Sequence, residues 1–392
     1  MTDPLDPMQR RAVRRRQVRR RRATAVAVLL AIAAGIVLAI ELPSGSSPAP
    51  KVKAAPRISL HRAPPREIRG VHVTLGLAGR HLERYVALRK HGLNALEVDV
   101  KDERGYVGFV THTVPLARRI GAARPYYKPR QLARRVHKAG LYLIGRVVTF
   151  EDPVLAEHRP GLAVRTTSGT IWHNNAGLAW TNPYDRRVWD YNVAIAVAAA
   201  KAGFDEIQFD YVRFPSDGDL SLVRYPRPHP QPMNETIPAF AAYAEKRIHA
   251  AGARISVDVF GLSATRDQGI GQRPREISRF VDAVYPMAYP SHYTRGEFGI
   301  TDPNAKPLET VAYTMRDFRR ALRGRTAKLV PWLQDFSLGR TYTLKEVRAQ
   351  IVAARAAHAH GFMLWNARGV YTAAALAPCK PRMQLCSRRP LR

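Results

Sequence analysis

The sequence predicts an α/β protein, a (β/α)8 barrel of the TIM type preceded by a single N-terminal transmembrane helix. Three observations carry this. Helix-like stretches end at glycine and a short apolar strand follows almost at once, as in "RKHG" before "LNALEVDV", "HKAG" before "LYLIGRVV", "AKAG" before "FDEIQFDYV", "AAGA" before "RISVDVF" and "AHAHG" before "FMLWN". Glycine just past a helix end is the expected left-handed cap. Adding "GVHVTLGL" near 70, "VDAVYPMAY" near 281 and "AKLVPWLQDF" near 327 brings the strands to eight. Several strands also alternate apolar and polar residues, where strands covered on both sides normally read as continuous apolar runs. A doubly wound open sheet is the competing architecture, but no G-x-G-x-x-G fingerprint or phosphate-binding loop supports it.

Residues 1–22 form a basic tail with nine Arg against Asp3 and Asp6. Residues 23–40, "ATAVAVLLAIAAGIVLAI", are apolar or small. As a helix they span about 27 Å, close to the roughly 30 Å hydrocarbon core of a bilayer. The arginines before them predict a cytoplasmic N-terminus and an extracytoplasmic remainder. A cleaved signal peptide is the alternative, but Ala49 and Ala55 are each followed by proline, which disfavours cleavage there. Residues 41–68 are a Pro/Ser/Ala-rich linker, residues 69–375 the barrel, and residues 376–392 a tail. Outside the cytoplasm Cys379 and Cys386 of that tail are expected to pair as a small disulfide. Within the barrel, Asn182-Pro183 marks one helix start, with Pro in the first turn. Thr343 and Glu346 have the spacing of a capping box.

The chain carries a net charge of +32, with 51 Arg and 12 Lys. Such a balance attracts anionic polymers, an envelope polysaccharide or a membrane surface among them, and also fits an arginine-biased solvated surface. No basic stretch is interleaved with base-stacking aromatics, so no specific nucleic-acid partner is expected.

The candidate site comes from strand parity. Leu96, Val98 and Val100 alternate with Glu97, Asp99 and Lys101; Ile207 and Phe209 with Gln208 and Asp210; Ile255, Val257 and Val259 with Ser256, Asp258 and Phe260. If the aliphatic faces pack on helices, the polar faces point into the barrel. Burying a carboxylate without partners is expensive, so idle acids belong in solvated loops. Asp99, Asp210 and Asp258 at strand ends therefore predict a site at the barrel mouth, with Lys101, Arg146 and Arg213 to balance charge. A salt-bridge layer inside the barrel is the structural alternative. Later strands add Tyr289, His292, Trp332, Gln334, Asp335, Trp365 and Asn366, aromatic faces and short polar groups that suit a sugar. Trp172 and His173 are a further candidate wall. Asp205 and Glu206, at the start of their strand, are expected to be structural.

The runs "FDEIQFDYVRFP", "VDVKDERG", "SVDVFG" and "YPMAYPSHY" resemble a bacterial family of glycosyl hydrolase domains, over roughly residues 69–375. The resemblance implies a TIM barrel distantly similar to α-amylase and α-galactosidase enzymes. It implies Asp210, at the end of strand four, as nucleophile. The α-amylase pattern puts the acid/base at the end of strand five, here Asp258, where glutamate is usual. The α-galactosidase pattern needs an acid after strand six, and "YPMAYPSHY" has none. The implied activity is a glycoside hydrolase acting on a cell-envelope or extracellular polysaccharide. Two carboxylates would flank the bond, with no metal or other cofactor. Asp99 would hold sugar hydroxyls or tune the pair, and Arg213 would keep Asp210 ionised. A non-catalytic glycan-binding module is the alternative, and a metal-dependent hydrolase would need more histidines than His72 and His292 near the strands.

Overall fold

The computed structural model describes residues 61–226 and 231–378. The expected basic tail, transmembrane helix, most of the linker and the Cys379–Cys386 disulfide lie outside these residues. Among the described residues no helix is long and apolar enough to cross a membrane.

Eight parallel strands close into a barrel: β1 (Ile68–Val73), β2 (Ala95–Lys101), β3 (Tyr142–Val148), β4 (Glu206–Asp210), β5 (Arg254–Phe260), β6 (Ala283–Met287), β7 and β8 (Gly361–Trp365). β7 comes in two pieces, Lys328–Leu329 and Trp332–Gln334, because Pro331 has no N–H to give the ladder. Its neighbours keep the seam closed: Val330 N–H donates to Val284 at 3.1 Å and Met363 N–H to the Pro331 carbonyl at 2.9 Å. Closure is completed by β1 against β8, where Ile68 pairs with Gly361.

Helices Leu75–Val86, Pro129–Lys138, Arg186–Ala202, Met233–Ala250, Pro307–Ala321 and Leu344–Ala356 cover the outside. Between β5 and β6 there is only a short helix, Pro274–Ile277. Gly92, Gly140, Gly203 and Gly252 adopt φ of 107°, 80°, 107° and 89°, the caps that the repeating pattern predicts. Thr343 and Glu346 form a complete capping box. The Asn182-Pro183 start is corrected: the helix begins at Arg186, and Asp185 caps it by accepting from Arg187 N–H.

Strand parity divides the interior into two separate cores. Val98, Val100, Ile207, Phe209, Val257 and Val259 belong to the large cluster between sheet and helices. Tyr142, Ile144, Tyr285, Trp332 and Met363 form a second cluster inside the barrel, with Tyr289. The polar residues of alternate parity share that lumen. Residues 61–67, assigned from sequence to the linker, instead pack at the floor. Arg62 N–H donates to Asp205 at 2.6 Å, beside the start of β4.

Candidate active site

Asp99 on β2, Arg146 on β3 and Asp210 on β4 lie side by side at the carboxyl ends of their strands. Asp99 is in register with Arg146, and Arg146 with Gln208. The Arg146 guanidinium bridges the two acids. Its Nε and Nη2 reach one oxygen of Asp210 at 2.9 and 2.8 Å, and Nη1 donates to Asp99 at 2.8 Å. On β5, one oxygen of Asp258 accepts from the Trp332 indole at 2.7 Å and from the Gln208 amide. Gln208 thus joins β4 to the β5 acid as a positioning residue.

β4 ends abruptly. Tyr211 has φ of 48°, a left-handed conformation that is uncommon for a residue with a side chain. Its N–H donates to the Asp210 carboxylate at 2.7 Å, while the Asp210 carbonyl accepts from Thr149 N–H at 2.8 Å. Such a turn is strained and persists only where the surroundings over-determine it. Its effect is to fix the Asp210 side chain from below and turn the following residues over the mouth.

The two aspartates sit in opposed environments. Asp210 is ion-paired with Arg146. Among the described residues no cation lies within hydrogen-bonding distance of Asp258, and its carboxyl is pushed well above the usual range, first by burial and then by the charge of Asp210. Asp99 rises to about 6, chiefly by burial, against the opposing pull of His72 and Arg146. Behind Asp99, His72 Nδ1 and Glu97 lie 2.6 Å apart. Burial lowers His72 to about 4 and raises Glu97 well above the usual carboxylate range, so both shifts disfavour a charged pair there.

A cavity of about 560 Å³ opens over these groups. Its lining includes Arg146, Asp210, Arg213, Asp258, Tyr289, His292, Trp332 and Trp365 from the sequence-derived set. Trp332 and Trp365 meet edge to face at 5.9 Å, and Arg146 lies 5.6 Å from the Trp365 ring centre. Such apolar walls beside charged groups suit a sugar ring.

Other predicted residues lie elsewhere. Lys101 is buried on the helix side, paired with Asp152 at 2.6 Å. The register shifts between Asp99 and Lys101, which reverses the face its side chain takes. Asp99 supports Arg146 from beneath and does not line the cavity. Gln334 is enclosed; it accepts from Ser291 N–H at 3.0 Å and so holds the loop that carries His292. Asp335 accepts from both the backbone and the hydroxyl of Thr372, and Asn366 donates to the Asp335 carbonyl. Both tie loops together. Arg213 does not pair with Asp210; the strand has already turned at Tyr211, and Arg146 takes that role. Trp172 is buried with its indole on the Asp219 carbonyl, and exposed His173 is not on the wall. Among the described residues no group of three or more His, Cys, Asp or Glu is arranged to hold a metal ion.

Met287 shares the parity of Tyr289 and lines the cavity; parity did not reveal Tyr211, Ser216, Gln268 or Tyr293, which line it from strand ends and loops. Glu151, just past β3, does not line the cavity but interacts electrostatically with Arg213 and Asp210, which do. It accepts from the Asn174 amide at 2.8 Å. Its carboxyl is pushed up to about 7, chiefly by burial, with Arg213 opposing and Asp210 and Asp217 adding to the rise. Only a three-dimensional neighbourhood identifies it, because it belongs to no strand.

A family model described as "Putative glycosyl hydrolase domain" matches residues 70–371. This chain belongs to that family. Among solved structures, a hypothetical protein from Ruminiclostridium thermocellum ATCC 27405 is 36% identical, with 48% of this chain and 97% of that chain covered and a TM-score of 0.44. The PgaB (BpsB) glycoside hydrolase domain from Bordetella bronchiseptica is 14% identical, covering 77% and 95%, with a TM-score of 0.55. A β-galactosidase from the psychrophilic Marinomonas ef1 is 11% identical, covering 76% and 53%, with a TM-score of 0.50. The last two share the barrel with this glycosyl hydrolase domain. No curated protein matches it. Family and fold together make glycoside hydrolysis the general activity class of the domain.

Proposed function

We propose that the domain cleaves glycosidic bonds of a cell-envelope or extracellular polysaccharide, with Asp210 as nucleophile and Asp258 as general acid/base. The observation that carries this is the contrast between the two carboxyls. One is held by Arg146 as an ion pair, and the other is driven towards its protonated form beside the same cavity. Glycosidases need both states at once, a carboxylate for the sugar carbon and an acid for the leaving oxygen.

In this reading the glycosidic oxygen lies against Asp258. Its already bonded oxygen stays on Trp332 and Gln208, and the other carries the proton. As that proton moves to the leaving group, the nearby negative charge of Asp210 is consumed in the bond to carbon. Asp258 is then a carboxylate able to take a proton from water, which releases the sugar. Trp332 and Trp365 stack on the ring. A carboxyl separation of about 5–5.5 Å accompanies retention and about 6.5–9.5 Å inversion, so the anomer first released decides whether Asp210 attacks directly. The basic tail and apolar segment 23–40 support a place at a membrane, with the barrel outside.

The test is to incubate the full chain with bacterial envelope and exopolysaccharide preparations and count new reducing ends, with Asp210→Asn alongside. Release that disappears in the variant supports the reading. Full activity in Asp210→Asn removes Asp210 from the chemistry. Tight binding without release favours a non-catalytic glycan-binding role.

A further inference from the structure

Arg213 lines the cavity without an ion-paired acid among the described residues. The residue is 8% exposed. The guanidinium is packed among Trp180, Tyr211 and Phe260, at 4.9, 5.0 and 4.8 Å from their ring centres. Its hydrogen bond to protein runs from Nη1 to the adjoining Phe214 carbonyl at 3.0 Å. Among the described residues no carboxylate lies within ion-pairing distance of it. Arg146, by contrast, is fully used by Asp99 and Asp210.

A buried charge without a partner is costly unless a ligand supplies one. The acids around Arg213 do not fill that place. Asp210 is bound to Arg146, Glu151 is held by Asn174, and Asp217 is exposed. They act on Arg213 through space only. A guanidinium clamped by rings is a rigid fork, and its free N–H pairs match the two oxygens of a carboxylate. The net charge of +32 adds a long-range attraction for polyanions.

We propose that Arg213 forms a subsite for a sugar carboxylate, so that the substrate is an acidic glycan carrying uronic-acid or similar carboxylated units. The proposal rests on the glycan-cleaving reading of the same cavity and adds the class of glycan. Tyr211 and Phe260, both on the cavity lining, offer ring faces to the sugar that bears the carboxylate.

The experiment measures binding rather than turnover, in the full chain carrying Asp210→Asn, by calorimetric titration. The probes are tetragalacturonate and a glucuronate-containing hyaluronan tetrasaccharide, with cellotetraose and chitotetraose as neutral counterparts and mannose 6-phosphate as the phosphate arm. At least one uronate probe is expected to bind ten-fold or more tightly than the neutral tetramers. Adding Arg213→Gln should collapse that preference, and Arg213→Lys should restore part of it. Melting temperatures check that each variant folds. Should Arg213→Gln fail to fold, raising NaCl from about 50 to 500 mM should weaken the uronate probe and spare the neutral ones. Equal binding of acidic and neutral probes, a preference that survives Arg213→Gln, or no binding of either uronate overturns the proposal. Tighter binding of mannose 6-phosphate than of both uronates overturns the choice of carboxylate. Acidic binding without turnover in the wild-type chain would count against glycoside hydrolysis but not against this subsite. Turnover of neutral glycans alone would do the reverse.

Discussion

Glu206 and Asp210 stand at opposite ends of β4, both facing the lumen, and they are used in different ways. At the floor, Glu206 accepts from Ser256 at 2.6 Å and from the Tyr142 and Tyr285 hydroxyls at 2.9 Å each. Burial raises its pKa, and the three hydroxyl donors oppose the rise. It does not line the cavity at the mouth. At the mouth, Asp210 has a guanidinium, its own following N–H, and open space. The comparison teaches that a buried acid is not itself a sign of chemistry. What distinguishes the mouth is an acid ion-paired on one side and open to the cavity on the other, next to a second acid whose carboxyl burial pushes up.

The sharpest way to break this comparison is at Asp210. Asp210→Asn should cut turnover by at least about a thousand-fold while the melting temperature stays close to that of the wild type. Asp258→Asn should follow, with a loss of about a hundred- to ten-thousand-fold, the range expected for a general acid. Its pH profile carries the sign. The working form of Asp258 is protonated and its pKa is raised, so rate is kept below that raised pKa and falls as pH rises through it. A substrate with a good leaving group, which needs no protonation, should regain much of its rate in Asp258→Asn and lose the alkaline limb.

The floor predicts the opposite pattern. Glu206→Gln should cost about 1–3 kcal/mol of stability by denaturant unfolding, since its new NH2 forces a hydroxyl to turn. Turnover per folded molecule should change by less than a few-fold. Smallest of all, Ser256→Ala removes one of three donors and should cost about 1 kcal/mol, again without a kinetic signature. A large kinetic effect from either floor variant would erase the distinction between the two ends of β4.

Much of this was legible in the sequence, and the reasons are local. Period-two alternation is a property of the strand backbone, so Asp99, Asp210 and Asp258 declared their shared face without any partner being known. The same rule failed wherever the strand stopped being regular. The shift after Asp99 sends Lys101 to Asp152, and the left-handed turn at Tyr211 takes Arg213 away from Asp210. Asp335 and Asn366 follow strand ends and so look like rim groups, yet each completes a loop hydrogen bond instead. Glu151 gave no periodic signal, since its environment is built by residues from distant loops.

The chain enters the described structure at the floor, where Arg62 meets Asp205, and leaves it there too, with the Leu376 carbonyl close against Gly92 just before β2. The molecule therefore has a pole for attachment and a pole for work. Both ends of the described chain lie at the closed end of the barrel, opposite the cavity.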